Sequence, residues 1–318
     1  MYNMDKLYEA VAERGHVCVG LDTASEYIPE KERRTGKSCP SPAEAVLAYN
    51  KTIIDATIGV AACYKMQIAF YEEMGIAGLQ TYVATLKYLR EKSALVIGDI
   101  KRGDIPGTAV RYARAHFEGD FESDFVTLSP YLGMDSVEPW MEWAEKKGKG
   151  AFVVMRTSNR GRRDFEYLLT GGEGSQPRDS AHKSGQRLFD VVGDRLSELA
   201  AAHLGKYGYG AFGAVVGADP QTEEERREAA AIRAGRPSLF FLIPGYGAQG
   251  GAASDAVLFL KDGNGGVVNA SRSILKAWQS KAASLGMNPA EADNAFAAEA
   301  ARQATVEMRD TLLKAAAR

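Results

Sequence analysis

The segment ALVIGDIKRGDIPGT (94–108) guides the interpretation of the whole chain. Its first half is a nearly unbroken apolar run, which is typical of a parallel strand covered by helices. Charged residues follow at once, at Asp99, Lys101 and Asp104. In barrels of parallel strands, the carboxyl ends of the strands carry the functional residues. The segment therefore predicts a buried strand that ends at a functional site.

Seven further segments have the same apolar character, and helical segments separate them. The eight predicted strands cover residues 16–22, 62–68, 94–101, 124–129, 151–158, 212–218, 238–243 and 265–271. Strands that alternate with helices, joined by right-handed crossovers, close most naturally into an α/β fold of the (β/α)8 TIM barrel type. An open doubly wound sheet is the alternative. We expect one barrel domain over 1–318, with an extended loop after the fifth strand (159–180) and a long C-terminal helix.

Composition excludes several classes of protein. The 318 residues include 39 Lys and Arg against 41 Asp and Glu, and 45% are hydrophobic, so the chain is neither disordered nor fibrous. No apolar run is long enough to cross a membrane, and the N-terminus does not resemble a signal peptide. The near-neutral charge gives no basis for general nucleic-acid binding. The sequence predicts a soluble, cytoplasmic protein that contacts neither nucleic acid nor membrane.

Cysteine and histidine give no metal-binding pattern. Cys18, Cys39 and Cys63 lack Cys-x-x-Cys spacing, so they predict reduced thiols instead of a disulfide framework or a thiolate metal site. The four histidines also lack the spacing of metal ligands. We therefore expect no metal site built from cysteine or histidine.

Charged and polar residues gather at the carboxyl ends of the predicted strands. They are Asp22, Lys65, Asp99, Lys101, Ser129 and Arg272. Asp99 and Lys101 are two residues apart on one strand, so their side chains point the same way. Lys65 on the neighbouring strand could complete an alternating array of lysine and aspartate, which would keep these groups charged in a partly dry site. A surface ion-pair network is the alternative, and the spacing leaves both interpretations open.

A glycine-rich segment, PGYGAQGG (244–251), follows the seventh predicted strand. It matches the G-x-G-x-x-G dinucleotide pattern, but it lies at the seventh strand instead of the first, and no acidic residue ends the next strand. A phosphate site after strands seven and eight of a barrel explains both features, with Gln249 and Arg272 beside backbone N–H groups. A glycine turn without function is the alternative. The arginines Arg160, Arg162 and Arg163 are interpreted as part of a solvated loop.

Seven short motifs, in this order, make the chain resemble the orotidine 5′-phosphate decarboxylase family in its longer bacterial form. They are GLD (20–22), YK (64–65), DIKRGDI (99–105) with Thr108, SPYLG (129–133), RTSN (156–159), PGYGAQGG (244–251) and SRS (271–273). The resemblance covers nearly the whole chain. It implies loss of carbon dioxide from orotidine 5′-phosphate to give uridine 5′-phosphate, without metal or cofactor.

The resemblance also implies a role for each candidate residue. It implies a homodimer whose two active sites lie at the subunit interface. Lys65, Asp99 and Lys101, with Asp104 of the partner chain, would form the catalytic array, in which Lys101 donates the proton to C6. Asp22 would bind the ribose and Ser129 the pyrimidine. Gln249 and Arg272 would hold the 5′-phosphate, while Ile105 and Thr108 would reach the neighbouring site.

Three short segments depart from the family pattern. Met66-Gln67 replaces Pro-Asn, Arg160 stands where proline is usual, and Pro106-Gly107 replaces Gly-Ser, so local loop and dimer contacts are in question. Two other functions stay open. One is a related sugar-phosphate decarboxylase or epimerase, whose magnesium-dependent forms carry an acid at the position of Lys65. The other is a noncatalytic nucleotide-binding protein.

Overall fold

The predicted barrel is present in the fold. The computed structural model describes residues 1–33, 41–171, 185–220, 222–247 and 251–317. Eight parallel strands close into a barrel in the order in which they follow along the chain. They are β1 (Val17–Gly20), β2 (Cys63–Gln67), β3 (Val96–Arg102), β4 (Phe125–Leu128), β5 (Gly150–Arg156), β6 (Phe212–Val216), β7 (Phe241–Ile243) and β8 (Gly266–Ala270).

Closure of the barrel excludes the open doubly wound sheet. β8 pairs with β1, for example through Val17 and Val268, so the sheet has no free edge. Each of the eight predicted segments overlaps one of these strands, and β3 and β5 each extend one residue beyond the predicted bounds. The ladder between β3 and β4 is irregular, because its register shifts between Gly98 and Arg102. A shift of this kind bends a strand and changes the direction of its side chains.

Helices cover the outside of the barrel. The α-helices are α1 (Asn3–Arg14), α2 (Glu30–Arg33), α3 (Pro42–Thr57), α4 (Ala69–Glu72), α5 (Gly75–Glu91), α6 (Pro106–Phe117), α7 (Met141–Lys147), α8 (Arg162–Phe165), α9 (Leu188–Ala202), α10 (Glu223–Gly235), α11 (Ala253–Ala256), α12 (Arg272–Leu275), α13 (Ala277–Ser284) and α14 (Asn294–Ala316). Short 3₁₀ turns cover Ser25–Tyr27, Met134–Ser136, Glu138–Trp140, Val257–Phe259 and Pro289–Glu291.

The first long helix shows how sequence sets these boundaries. Ser41 precedes α3 and its hydroxyl accepts a hydrogen bond from the N–H of Glu44, while the Glu44 carboxylate accepts one from the N–H of Ser41. Pro42 at the first helical position loses no hydrogen bond there. The buried side chains of α3 include Val46, Ile53 and Ile54, which pack in the core.

The two ends of the chain pack on the barrel. Met4 and Leu7 of α1 join a buried cluster with Phe125 and Phe152. The C-terminal helix that the sequence predicts is α14, which packs against α3 and α13. Cys18 and Cys63 are buried free thiols, whereas Cys39 lies outside the described residues. None of the helices in the described segments has the length and apolar composition needed to cross a bilayer.

The long connection after β5 is described in part. It contains α8, and an antiparallel bridge joins Leu169 to Arg187 shortly before α9. Part of the predicted excursion 159–180 lies outside the described residues. The described part follows the carboxyl end of β5.

Candidate active site

Four charged side chains meet at the carboxyl ends of β1, β2 and β3. Asp22 lies just beyond β1, Lys65 is in β2, and Asp99 and Lys101 are in β3. The parallel strands of a closed barrel place all these positions at one mouth. The structure therefore brings together Lys65, Asp99 and Lys101 of the predicted array, and it places Asp22 beside them.

Lys65 lies between two carboxylates. Its Nζ donates to Asp22 Oδ1 at 3.0 Å and to Asp99 Oδ2 at 3.0 Å, and the residue is only 5% exposed. Burial alone would lower the pKa of Lys65, but the two carboxylates outweigh it and raise this pKa above its ordinary value. The side chain is thus held as an ammonium group and fixes the direction of both carboxylates.

Asp99 accepts hydrogen bonds on both of its oxygens. Lys101 Nζ donates to Oδ1 at 2.6 Å, and the Thr127 hydroxyl donates to the same oxygen at 2.8 Å. Burial disfavours the Asp99 carboxylate, yet the ammonium groups of Lys65 and Lys101 and these hydrogen bonds hold its pKa well below the usual range. The carboxylate stays charged although it is almost fully buried.

Lys101 combines a strained backbone with an accessible side chain. Its φ of 42° lies in the left-handed region, which a residue other than glycine seldom adopts. The side chain is 49% exposed, in contrast to Lys65. Lys101 therefore presents its ammonium group at the mouth of the barrel, where a bound molecule can reach it.

A cavity of about 420 Å³ opens beside this cluster. Its lining among the described residues comes from the ends of β1, β2, β3, β7 and β8: Asp22, Tyr27, Lys65, Phe70, Asp99, Pro244, Gly245, Tyr246, Asn269, Ala270, Ser271 and Arg272. The lining contains the carboxylates of Asp22 and Asp99 with the ammonium of Lys65 between them, and the guanidinium of Arg272. A ligand with an anionic end and a polar middle would match this distribution.

Part of the cavity lining comes from the ends of β7 and β8 and the loops that follow them. Gly245 and Gly247 have φ values of 102° and 68°, which glycine adopts without strain. A Cβ atom at Gly251 would lie 2.0 Å from the carbonyl oxygen of Ala218, so only glycine fits there. Arg272 is exposed and lines the same cavity. Gln249 lies outside the described residues.

Ser271 connects the two ends of the cavity, and the sequence assigned no role to it. Its Oγ donates to Asp22 Oδ2 at 2.7 Å, and its neighbour in the chain is Arg272. A Cβ atom at Gly20 would lie 1.9 Å from this Oγ, so the glycine of the GLD motif leaves room for the serine. The contact of Ser271 with Asp22 depends on the glycine at position 20 in β1. Residue spacing along the sequence therefore could not identify Ser271.

The other predicted residues lie around the rim. The Asp104 carboxylate accepts from the N–H of Ile105 at 2.8 Å, and Ile105 is 63% exposed at the start of α6. Among the described residues, Asp104, Ile105 and Thr108 do not line the 420 Å³ cavity. Ser129 lines a separate cavity of about 440 Å³ together with Asn159. Among the residues that the structure describes, Asp104, Ile105, Thr108 and Ser129 thus lie outside the lining of the 420 Å³ cavity, as Lys101 does.

Arg162 corrects the interpretation of the 160–163 segment as a solvated loop. Its side chain is 4% exposed, and Nη1 donates to both carboxylate oxygens of Asp219, at 2.7 and 2.6 Å. It also donates to the carbonyl oxygen of Thr157 at 3.3 Å. Arg162 therefore ties the RTSN segment to the end of β6. Its partner is 57 residues away in the chain, so no local pattern indicates the pairing.

Comparison with known proteins identifies relatives along the whole chain. The sequence model of the orotidine 5′-phosphate decarboxylase / HUMPS family matches residues 15–286. An orotidine 5′-phosphate decarboxylase of Clostridium perfringens (strain SM101) is 49% identical over 311 residues, 98% of each chain. That of Clostridium kluyveri is 45% identical over 313 residues, 98% of this chain and 97% of the relative. The solved structure of Leishmania donovani OMP decarboxylase is 28% identical with a TM-score of 0.68, and covers 98% of this chain and 100% of that one.

Proposed function

The chain belongs to the orotidine 5′-phosphate decarboxylase / HUMPS family, and from this membership we propose that it decarboxylates orotidine 5′-phosphate to uridine 5′-phosphate without a metal ion. The reaction is a step of pyrimidine biosynthesis. The observation that carries the proposal is the array in which Lys65 lies between Asp22 and Asp99 while Lys101 contacts the free side of Asp99.

Lys101 is the proton donor in this proposal. Loss of the carboxylate from C6 leaves an electron pair in the plane of the pyrimidine ring, where the π system cannot delocalise it. A positive charge close to C6 stabilises that pair, and an ammonium group can then protonate it. The exposed ammonium of Lys101 suits both tasks, whereas Lys65 is buried between two carboxylates. Asp99 orients Lys101 through their 2.6 Å contact.

The rest of the cavity binds the nucleotide. Asp22 is placed to accept hydrogen bonds from ribose hydroxyls, because it lines the cavity between Lys65 and Ser271. Arg272 and the glycine loop after β7, with Gln249, hold the 5′-phosphate, and Ser129 contacts the pyrimidine. Phosphate contacts far from C6 supply binding energy that is used to order the site around the base.

The active protein in this proposal is a cytoplasmic homodimer. Asp104, Ile105 and Thr108 follow β3 directly and Ile105 is largely exposed, which supports their reaching the site of a second copy. The 63% exposed Ile105 side chain has the apolar character expected at a subunit interface. Each site would then contain Asp99 and Lys101 from one chain and Asp104 from the other.

The position of Lys65 supports the metal-free part of the proposal. A divalent cation between Asp22 and Asp99 would need the oxygens that accept from Lys65 and would be repelled by its charge. The related magnesium-dependent sugar-phosphate enzymes are therefore not favoured. The 49% identity to a decarboxylase over 98% of the chain disfavours a noncatalytic nucleotide-binding protein.

Release of carbon dioxide from orotidine 5′-phosphate tests the proposal. The assay is run on the purified protein with no added metal, with a chelator, and with magnesium restored. We expect the same rate under all three conditions. Loss of activity with chelator and recovery with magnesium would overturn the metal-free mechanism, and no carbon dioxide under any condition would overturn the decarboxylase.

A further inference from the structure

The hydroxyl group of Thr127 makes three hydrogen bonds directly beneath the charged cluster. Oγ1 accepts from the N–H of Ile100 at 3.0 Å and from the N–H of Lys101 at 2.9 Å, and it donates to Asp99 Oδ1 at 2.8 Å. We propose that Thr127 is a positioning residue for the decarboxylation, because it fixes the backbone of Lys101 and the carboxylate of Asp99 together. This inference rests on the proposed role of Lys101 as proton donor.

The two accepted hydrogen bonds act on the backbone. The β3–β4 ladder loses its regular register between Gly98 and Arg102, and Thr127 lies opposite this interval. Its side-chain oxygen accepts hydrogen bonds from the backbone N–H groups of Ile100 and Lys101. The first of these hydrogen bonds is buried and the second is partly buried. Lys101 has a left-handed φ of 42°, a conformation that persists only when surrounding contacts hold it. Thr127 supplies such contacts.

The donated hydrogen bond acts on Asp99. A threonine hydroxyl has one proton, and here both of its acceptor positions are used by N–H groups. The proton is therefore directed to Asp99 Oδ1, the same oxygen that accepts from Lys101 Nζ. The Thr127 side chain thus fixes both the Asp99 carboxylate and the backbone of Lys101. The Asp99 carboxylate in turn orients the Lys101 ammonium group. A shift of either group would move the ammonium away from C6.

Thr127 acts only through other residues. It is 1% exposed and, among the described residues, does not line the 420 Å³ cavity. A nucleotide in the cavity would not touch it. Removal of its hydroxyl should therefore lower the rate of the chemical step more than the affinity for the nucleotide.

Substitutions at position 127 separate this role from a merely structural one. Thr127→Val keeps the branched shape but has no hydroxyl, and Thr127→Ser keeps the hydroxyl. The matched control is Thr305→Val in α14, where the fully buried hydroxyl donates to the Ala301 carbonyl far from the site. For each dimer we would measure kcat with orotidine 5′-phosphate, the Kd of uridine 5′-phosphate and the urea midpoint.

Thr127→Val should lower kcat at least about tenfold, since hydrogen bonds to charged groups are among the stronger ones. The Kd of uridine 5′-phosphate should change by less than about threefold. Thr127→Ser should recover most of the lost rate. Thr305→Val should lower the urea midpoint without changing kcat. If the valine variant does not fold, Thr127→Ala and Thr127→Ser carry the same test, because they differ only in the hydroxyl.

Two results would overturn the inference. One is a folded Thr127→Val or Thr127→Ala enzyme with the kcat of the wild type. The other is a serine variant as slow as the variant without a hydroxyl. Measuring Lys101→Ala in parallel separates a failure of the Thr127 inference from a failure of the proposed function. An inactive Lys101→Ala beside a fully active Thr127→Val rejects only the role of Thr127, whereas an active Lys101→Ala rejects the proton donor itself.

Discussion

The Nζ atom of Lys101 lies 2.6 Å from Oδ1 of Asp99, which precedes it by two residues on β3. The two side chains meet at the barrel mouth although the β3–β4 ladder is irregular there and Lys101 has a left-handed φ of 42°. They differ in environment, because Asp99 is buried and Lys101 is half exposed. A fixed anion thus orients a cation that solvent and substrate can reach, and this asymmetry underlies the first prediction.

Replacing Lys101 with alanine should nearly abolish turnover and leave nucleotide binding intact. Loss of a general acid costs roughly 10²–10⁴ in rate, and loss of its positive charge beside the C6 electron pair adds to this. Lys101→Arg should not restore activity, because a guanidinium is a poor proton donor and its planar shape differs from that of an ammonium. Decarboxylation, dimer mass and uridine 5′-phosphate affinity are measured on the same preparation. A folded Lys101→Ala dimer with more than about a tenth of the wild-type kcat would remove Lys101 from this role.

Arg272→Ala should weaken recognition of the phosphate group. A hydrogen bond to a charged group contributes roughly 1.5–3 kcal/mol, so kcat/KM for orotidine 5′-phosphate should fall at least about tenfold. Orotidine, which has no phosphate, is the control substrate, and its slow turnover should barely change in the variant. Equal proportional losses with both substrates would instead mean that Arg272 supports the fold or the charged cluster.

Acid should destabilise the protein in part through His116. This residue is 3% exposed and stacks on Phe121, with ring centroids 5.6 Å apart. Burial, with a smaller contribution from Arg102, lowers its pKa from 6.5 to about 4. Between these values the unfolded chain binds a proton that the folded chain does not, so stability falls as pH falls through this window. The full effect corresponds to roughly 3 kcal/mol.

His116→Phe should flatten this pH dependence, because the variant has no group to protonate at that position. The measurement is urea unfolding of wild type and variant at several pH values between 6.5 and about 4, at one protein concentration. The same slope in both proteins would show that His116 is not responsible for it.

The sequence predicted the barrel and most of its charged mouth for one physical reason. Parallel strands covered by helices read as apolar runs, and their carboxyl ends meet, so Asp22, Lys65 and Asp99 could be assigned to one place before any distance was known. Their mutual contacts near 3 Å confirm that part.

Other contacts depend on packing between distant segments. Thr127 gains its three hydrogen bonds from an irregular register between β3 and β4, which strand periodicity does not encode. Arg162 lies in a charged stretch that resembles a loop, and only the folded chain brings Asp219 to it. Ser271 contacts Asp22 because residue 20 is a glycine on a neighbouring strand. Such pairings require the tertiary structure.

Asp104 should complete the active site of the partner chain, and mixed dimers test this. Its carboxylate contacts the N–H of Ile105 on the rim and, within the described residues, does not line the cavity of its own chain. Dimers of Lys101→Ala alone, or of Asp104→Ala alone, should be inactive. In a mixed dimer, one site has lost both residues and the other combines the native Lys101 of one chain with the native Asp104 of the other. Free exchange of equal amounts should therefore restore about a quarter of the wild-type activity per site, as two-fold symmetry requires.

Exchange of subunits is demonstrated independently by mass with chains carrying different tags. If exchange occurs and no activity returns, Asp104 acts within its own chain, because no mixed dimer would then hold a native pair.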